Sequence, residues 1–134
     1  MGDLVVLITG SRSWRDSDAV IAALTKHAPA MVVTGGAEGA DQIAALQARR
    51  LGIHVAEVVA LWDRHKRAAG PIRNRAMLAL QPDLVLAFWD GSSPGTRSMI
   101  DSAAKAGVAV EVVRSSDPAP AKAERRWTST EWPS

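Results

Sequence analysis

The sequence predicts an α/β fold, a three-layer sandwich in which helices cover both faces of a parallel five-stranded sheet. Five short β-favouring apolar runs alternate with segments whose apolar residues recur at helical spacing, and the connections are short. The length of 134 residues, with 47% hydrophobic and 22% charged residues, is typical of one globular domain. We expect the strand order 3-2-1-4-5, which places a ligand between strands 1 and 4.

The first half of the chain contains three of the predicted strands, at residues 4–9, 31–34 and 53–59. The first is continuously apolar, as in a strand that is buried on both faces. Asp16 and its neighbours offer capping oxygens to a first helix, which Pro29 ends. A second helix, at residues 39–51, carries small and aliphatic residues on one face, and Gly52 follows it.

The second half begins with a long basic loop at residues 60–70, after which Pro71 fits the first position of a third helix. Residues 84–88 form the fourth strand, a fourth helix follows Gly95, and residues 108–113 form the fifth strand. From Ser115 the chain is rich in Pro, Ala and Ser. We therefore expect a domain at residues 1–114 and a partly disordered tail at 115–134 that Trp127 or Trp132 could dock.

Several kinds of protein and site are excluded. The chain has no Cys, and no apolar run approaches the roughly 20 residues of a membrane span, so we expect a cytoplasmic protein without membrane contact. The three His show no metal-ligand spacing, which predicts no metal site. A P-loop and a complete dinucleotide fingerprint are both missing, so we expect no cofactor.

Three turns that follow strands 1, 2 and 4 are rich in Gly, Ser and Thr. The free N–H groups of the helices that begin there favour an anion, although tight-turn geometry alone would also explain the glycines. The candidate ligand-binding residues in these turns are Gly10, Ser11, Arg12, Trp14, Gly35, Gly36, Gly39, Asp41, Asp90, Gly91, Ser92, Ser93, Gly95 and Thr96.

Residues 62–75 carry five basic side chains against Asp63 alone. The segment is either a solvated surface loop or part of a binding site. Arg73 and Asn74 are predicted in the first turn of a helix, where a cation opposes the helix dipole unless an anion compensates it. We therefore add both to the candidate ligand-binding residues, because a guanidinium suits a phosphate or carboxylate.

Four motifs together resemble the YspA/YpsA-related branch of the SLOG superfamily: ITGSR at residues 8–12, VTGGAEGAD at 33–41, AGPIRNRAM at 69–77 and GSSPGT at 91–96. The resemblance covers residues 4–113. It implies a Rossmann-like fold that binds nucleotides or nucleotide-derived ligands. Such a module could sense or sequester a nucleotide-derived signal, which is a role proposed for relatives in phage-defence systems. The superfamily includes the LONELY GUY phosphoribohydrolases, with their lysine decarboxylase-like fold, and the Rossmann-like domain of DprA.

One departure bears on catalysis. The phosphoribohydrolases release a free base from a nucleoside 5′-monophosphate, and Arg73 and Gly95-Thr96 match parts of their motifs. Their carboxylate after the Gly-Thr pair is missing here, because Ser98 and Met99 stand at that place. Glycosidic cleavage needs a carboxylate. Asp41 and Asp90 are candidate catalytic substitutes, and Glu38 lies near them. Asp41 is equally explained as a helix N-terminal charge, and Asp90 as a turn residue.

Three functions follow as hypotheses. The first is a module that binds a nucleotide-derived small molecule to sense or sequester it, and the second is a phosphoribohydrolase. The third, less favoured because Gly-rich turns suit a small ligand, is single-stranded DNA binding with a base stacked on Trp62.

Trp14, Trp62 and Trp89 are all predicted at the carboxyl edge of the sheet, as walls of the pocket or as loop packing. The Ala-rich helix faces would permit a homodimer.

Overall fold

A computed structural model describes residues 3–115 and contains one five-stranded sheet in the order β3-β2-β1-β4-β5. The strands are β1 (Val5–Gly10), β2 (Met31–Thr34), β3 (His54–Glu57), β4 (Leu84–Phe88) and β5 (Ala109–Val113). All four strand pairs are parallel. The predicted α/β fold and its strand order are therefore confirmed. Apart from Ser115, the predicted tail with Trp127 and Trp132 lies outside the described residues.

Five α-helices and a 3₁₀ turn connect the strands. They are α1 (Ser17–His27), α2 (Ala40–Arg50), α3 (Trp62–His65), the 3₁₀ turn Lys66–Ala68, α4 (Ala69–Leu78) and α5 (Pro94–Lys105). Alternate side chains of β1 separate the two cores, as the pleat of a strand requires. Val6 and Ile8 share one core with residues of α1 and α2, and Leu7 shares the other with residues of α4 and α5. No helix in this part of the chain could cross a membrane.

The ends of α1 show how local sequence sets an element's bounds. Asp16 Oδ1 accepts a hydrogen bond from the Ala19 N–H at 3.1 Å, which is the predicted cap. At the other end Ala28 adopts a left-handed conformation with φ 45°, and its N–H donates to Leu24 O at 2.8 Å. Pro29 follows and cannot continue the helix. The first helix therefore begins and ends where the sequence predicts.

The segment predicted as a basic loop is largely helical, which is a correction. It holds α3, the 3₁₀ turn and the start of α4 at Ala69, so Pro71 is the third residue of its helix rather than the first. A proline is tolerated there because the first four N–H groups of a helix have no partner within the helix. Arg73 is then the fifth residue and lies in the second turn. The argument from the free amides of a first turn therefore does not apply to it.

Two further bounds differ from the prediction. Strand β3 covers only His54–Glu57, since residue 53 and residues 58–59 fall outside the ladder with β2. Helix α5 begins at Pro94, with Pro at its first position, so Gly95 and Thr96 lie inside its first turn. Both differences bring polar groups to the carboxyl edge of the sheet, where the site is described next.

Candidate functional site

A cleft of about 940 Å³ opens at the carboxyl edge of the sheet. The loops after β1, β2 and β4 form one side of it, and α3 and α4 contribute the other. It lies where the strand order reverses between β1 and β4, which is where open α/β sheets bind ligands. The fold therefore places a cleft of small-molecule size at the predicted position.

Twelve of the predicted site residues line this cleft, from segments up to 86 positions apart in the chain. They are Gly10, Ser11, Arg12, Gly35, Gly36, Asp41, Arg73, Asn74, Asp90, Ser93, Gly95 and Thr96. The chain reaches this arrangement because parallel strands present all their carboxyl ends at one edge. Contact of these residues with a ligand stays a prediction.

Trp14 does not line the cleft. It is only 5% exposed, packs edge-on against Phe88 with ring centroids 5.5 Å apart, and donates its indole N–H to Asp16 O at 2.9 Å. Trp89 is equally buried and donates its indole N–H to Ser93 O at 3.0 Å. Of the two roles that the sequence leaves open for these rings, wall of the pocket or loop packing, the structure shows loop packing, because both rings are covered by the core and by their own loops.

Gly39, Gly91 and Ser92 also lie outside the cleft lining, although the sequence placed them in the site. Gly39 has φ 80°, and a Cβ there would collide with the backbone oxygens of Ser11 and Arg12. Its role is close approach of the β2–α2 turn to the loop after β1. Gly91 has φ 91°, and the Ser92 N–H donates to Asp90 Oδ1 in the turn described below. These residues shape the loops around the cleft.

Asp41 lies in the first turn of α2 and is buried. Its Oδ2 accepts hydrogen bonds from the N–H groups of Gly35 at 3.1 Å and Ala37 at 3.3 Å. Burial raises the pKa of Asp41 to about 6, and the negative charge of Glu57 adds to this rise. The two amides and the positive charge of Arg73 lower the pKa and only partly offset burial. Asp41 therefore gains or loses its proton at about pH 6.

Arg73 extends from the second turn of α4 to the loop after β2. Its Nη1 donates to Gly35 O at 3.2 Å, while its Nε is buried and has no hydrogen-bond partner within residues 3–115. A Cβ on Gly35 would lie 2.6 Å from that Nη1, so a larger residue there would displace the guanidinium from this position. Asp41 and Arg73 thus hold the same residue, Gly35, from its N–H and its carbonyl.

Asp90 organises the loop between β4 and α5. Its Oδ1 accepts from the N–H groups of Ser92 at 2.8 Å and Ser93 at 3.0 Å, and its own N–H donates to Ser11 Oγ at 3.1 Å. Partial burial by itself would raise the pKa of Asp90, but the hydrogen bonds from these amides and from the Ser11 and Ser92 hydroxyls lower it overall. Asp90 is therefore ionised at neutral pH, and its turn role is present in the structure.

The cleft lining also includes residues outside the list of candidate ligand-binding residues, among them Glu57, Trp62 and Arg67. The sequence predicts Trp62 only as a pocket wall or a stacking surface. Glu57 is exposed at the end of β3, and a Cβ on Gly36 would collide with its Oε2. Its position at a strand's carboxyl end is the signal that could have found it. Trp62 and Arg67 belong to the segment predicted as a loop, whose helical fold determines what faces the cleft. No group of three His, Asp or Glu between residues 3 and 115 could hold a metal ion.

A solved structure shares this fold. It is an X-ray structure of DNA processing protein A (DprA) from Streptococcus pneumoniae, which superposes with a TM-score of 0.65 at 19% sequence identity. The match covers 82% of this chain and 50% of the DprA chain, so this chain spans half the length of that protein. At this identity the likeness shows the fold alone, which is Rossmann-like.

Sequence comparison assigns the family. The model of the YspA, cpYpsA-related SLOG family matches residues 4–65, which contain β1 to β3 and two of the Gly-rich turns. The gene 61 protein of Mycobacterium phage D29 is 42% identical over 115 residues, covering 78% of this chain and 92% of the phage protein. The chain therefore belongs to the YspA, cpYpsA-related SLOG family.

Proposed function

We propose that the cleft binds a nucleotide or a nucleotide-derived small molecule, and that the protein acts as a sensor or sequestering module for it. The observation that carries this proposal is the Arg73 side chain, which lines a Gly-rich cleft and is held there by the hydrogen bond from its Nη1 to the Gly35 carbonyl. A guanidinium in such surroundings suits a phosphate oxygen. SLOG membership and the DprA-like fold support a nucleotide- or DNA-related role.

The first turn of α5 offers a second group of donors for a phosphate. Pro94, Gly95 and Thr96 line the cleft, and the N-cap residue Ser93 makes no side-chain cap bond. The N–H groups of Gly95 and Thr96 therefore have no partner inside the helix, and a helix N-terminus favours negative charge. Together with Arg73, which lines the same cleft, these donors leave room for a base and a ribose in its volume of about 940 Å³.

Calorimetric titration with a panel of nucleoside 5′-monophosphates and the matching nucleosides tests this proposal. Arg73→Ala should bind the monophosphates about 5- to 150-fold more weakly, because about 1–3 kcal/mol of charge-assisted hydrogen bonding is lost. Arg75→Ala is the matched control, since Arg75 is exposed on the same helix but does not line the cleft. Equal affinity of the two variants, with both folded, would contradict the proposal.

A phosphoribohydrolase is the second candidate, and Asp41 is the observation that favours it. A buried carboxyl whose pKa is about 6 can hold a proton for a departing base, and the exposed carboxylate of Glu57 lies in the same cleft. In that reaction water adds to the ribose carbon as the bond to the base breaks, and Glu57 would stabilise the positive charge that develops there. Asp90, being ionised, fits only the role of a base or of a stabilising charge.

Chromatography of nucleoside monophosphates after incubation separates these two functions. The enzyme hypothesis requires free base from at least one nucleotide, a rate that falls as the pH rises above about 6, and loss of release in Asp41→Asn. Absence of free base together with measurable nucleotide binding would leave the binding module as the function.

Single-stranded DNA is a third partner to test, because Arg64, Lys66 and Arg67 are exposed on the segment beside the cleft. DprA is named as a DNA processing protein, and this chain shares its fold. Strand binding would show an affinity that falls steeply with salt, since each phosphate contact releases counterions. A single nucleotide that competes fully with an oligonucleotide would favour the small-ligand site.

A further inference from the structure

We propose that the base of the ligand stacks on Trp62. A ligand that has a base should therefore bind more tightly than one that lacks it. This inference rests on the proposed nucleotide site. Trp62 lines the cleft and is 50% exposed, in contrast to Trp14 and Trp89. An aromatic side chain that lines a cleft and keeps half of its surface exposed offers a flat apolar face to a ligand there.

The backbone holds the ring at this place. Leu61 O accepts hydrogen bonds from the N–H groups of Arg64 at 3.1 Å and His65 at 2.9 Å, which forms the single turn of α3 that begins with Trp62. Lys66 then adopts φ 55°, and the chain continues through the 3₁₀ turn into α4. These turns place the Trp62 backbone close to α4, the helix that supplies Arg73.

The Trp62 ring lies beside Gly70 of α4. A Cβ on Gly70 would lie 3.5 Å from the outer ring atom Cη2 of Trp62, so one edge of the indole rests against this glycine. The other half of the ring surface stays open. Tryptophan has only two side-chain torsions, so an indole supported in this way loses little entropy when a base stacks on it.

Trp62 and Arg73 are close enough to act on one ligand. Gly70 and Arg73 both line the cleft and are three residues apart in α4, about 4.5 Å along the axis at a rise of about 1.5 Å per residue. A phosphate on Arg73 and a base on Trp62 can thus belong to the same nucleotide. Stacking accepts the face of any base, so we expect purine and pyrimidine nucleotides both to bind.

Titration with nucleoside 5′-monophosphates and with ribose 5-phosphate tests the inference, because only the former have a base. Trp62→Ala should weaken the monophosphates about 5- to 100-fold and leave ribose 5-phosphate unchanged. Trp62→Phe should keep most of the affinity but lose the quenching of tryptophan fluorescence by nucleotide. Leu61→Ala is the control, since this neighbour is equally exposed yet outside the cleft lining, and it should change neither ligand.

The outcomes distinguish the two proposals. Equal loss of both ligands in Trp62→Ala would show a structural role, and no loss of either would show that nothing stacks there. Each result overturns the stacking proposal alone. A wild-type protein that binds neither ligand would overturn the proposed function, and the stacking proposal with it.

Discussion

Gly35 is the residue whose backbone both charged side chains, Asp41 and Arg73, contact. Its N–H donates to Asp41 Oδ2 and its carbonyl accepts from Arg73 Nη1, at 3.1 and 3.2 Å. All three residues were predicted as site members from the sequence. Their meeting on one residue was not, because it depends on α4 packing its second turn against the end of β2. Residue types and their edge of the sheet were predictable, whereas side-chain partners were not.

Two glycines of the loops around the cleft should differ in how much an added side chain destabilises the fold. Gly39→Ala should destabilise the protein by about 2 kcal/mol or more, because its φ of 80° disfavours a side chain and a Cβ would collide with backbone oxygens of Ser11 and Arg12. Gly95→Ala is the control. Nothing lies within 4 Å of its Cβ position, so it should be neutral or gain up to about 1 kcal/mol. Urea unfolding measures both, and equal stability of the two variants would contradict the described turn.

Asp41 should make stability depend on pH. Its pKa rises from 3.8 to about 6 on folding, so between these values the native state keeps a proton that the unfolded chain has lost. The free energy of unfolding then falls as the pH rises from about 4 to above 6, by about 3 kcal/mol in total. Asp41→Asn removes this titration. Urea unfolding of both proteins across this range should show the difference, and parallel pH profiles would refute the burial of an ionisable Asp41.

At the scale of elements, apolar periodicity and helix-ending residues predict most of the helices and strands. They fail at residues 60–70. Charged residues and alanines gave no apolar stripe there, so a loop was predicted. The structure forms α3 and the 3₁₀ turn, and α4 begins before Pro71. A single turn of helix has too few residues to show a period, and its stability comes from neighbouring elements rather than from its own sequence.

The end of α1 offers a test at this scale. Ala28 adopts φ 45° after the helix, a conformation that costs an L-residue about 1–2 kcal/mol and glycine almost nothing. Ala28→Gly should therefore stabilise the protein by up to about 1 kcal/mol in thermal or urea unfolding. Ala106, at the end of α5, has φ −83°, and Ala106→Gly should give no such gain. A loss of stability in Ala28→Gly would contradict the left-handed cap.

At the scale of the molecule, the strand order determined where the site would lie. Alternating strands and helices implied a parallel sheet, and the reversal of order between β1 and β4 implied a site at their carboxyl ends. The cleft lies there and gathers twelve predicted residues. The tryptophans show the limit of this argument, because topology places Trp14, Trp62 and Trp89 at one edge but packing buries two of them. Which side chains face a cleft depends on three-dimensional packing that no local pattern encodes.

Nucleotide binding at the carboxyl edge of the sheet is tested most directly by amide chemical shifts measured by NMR. Addition of a nucleoside 5′-monophosphate should shift the amides of Ser11, Gly35, Gly36, Gly95 and Thr96, which surround the cleft. The amides of Ala30 and Asp83, which bond to the start of β1 at the other end of the sheet, should stay unchanged. Shifts confined to that opposite end, or no shifts with any nucleotide at millimolar concentration, would contradict the account.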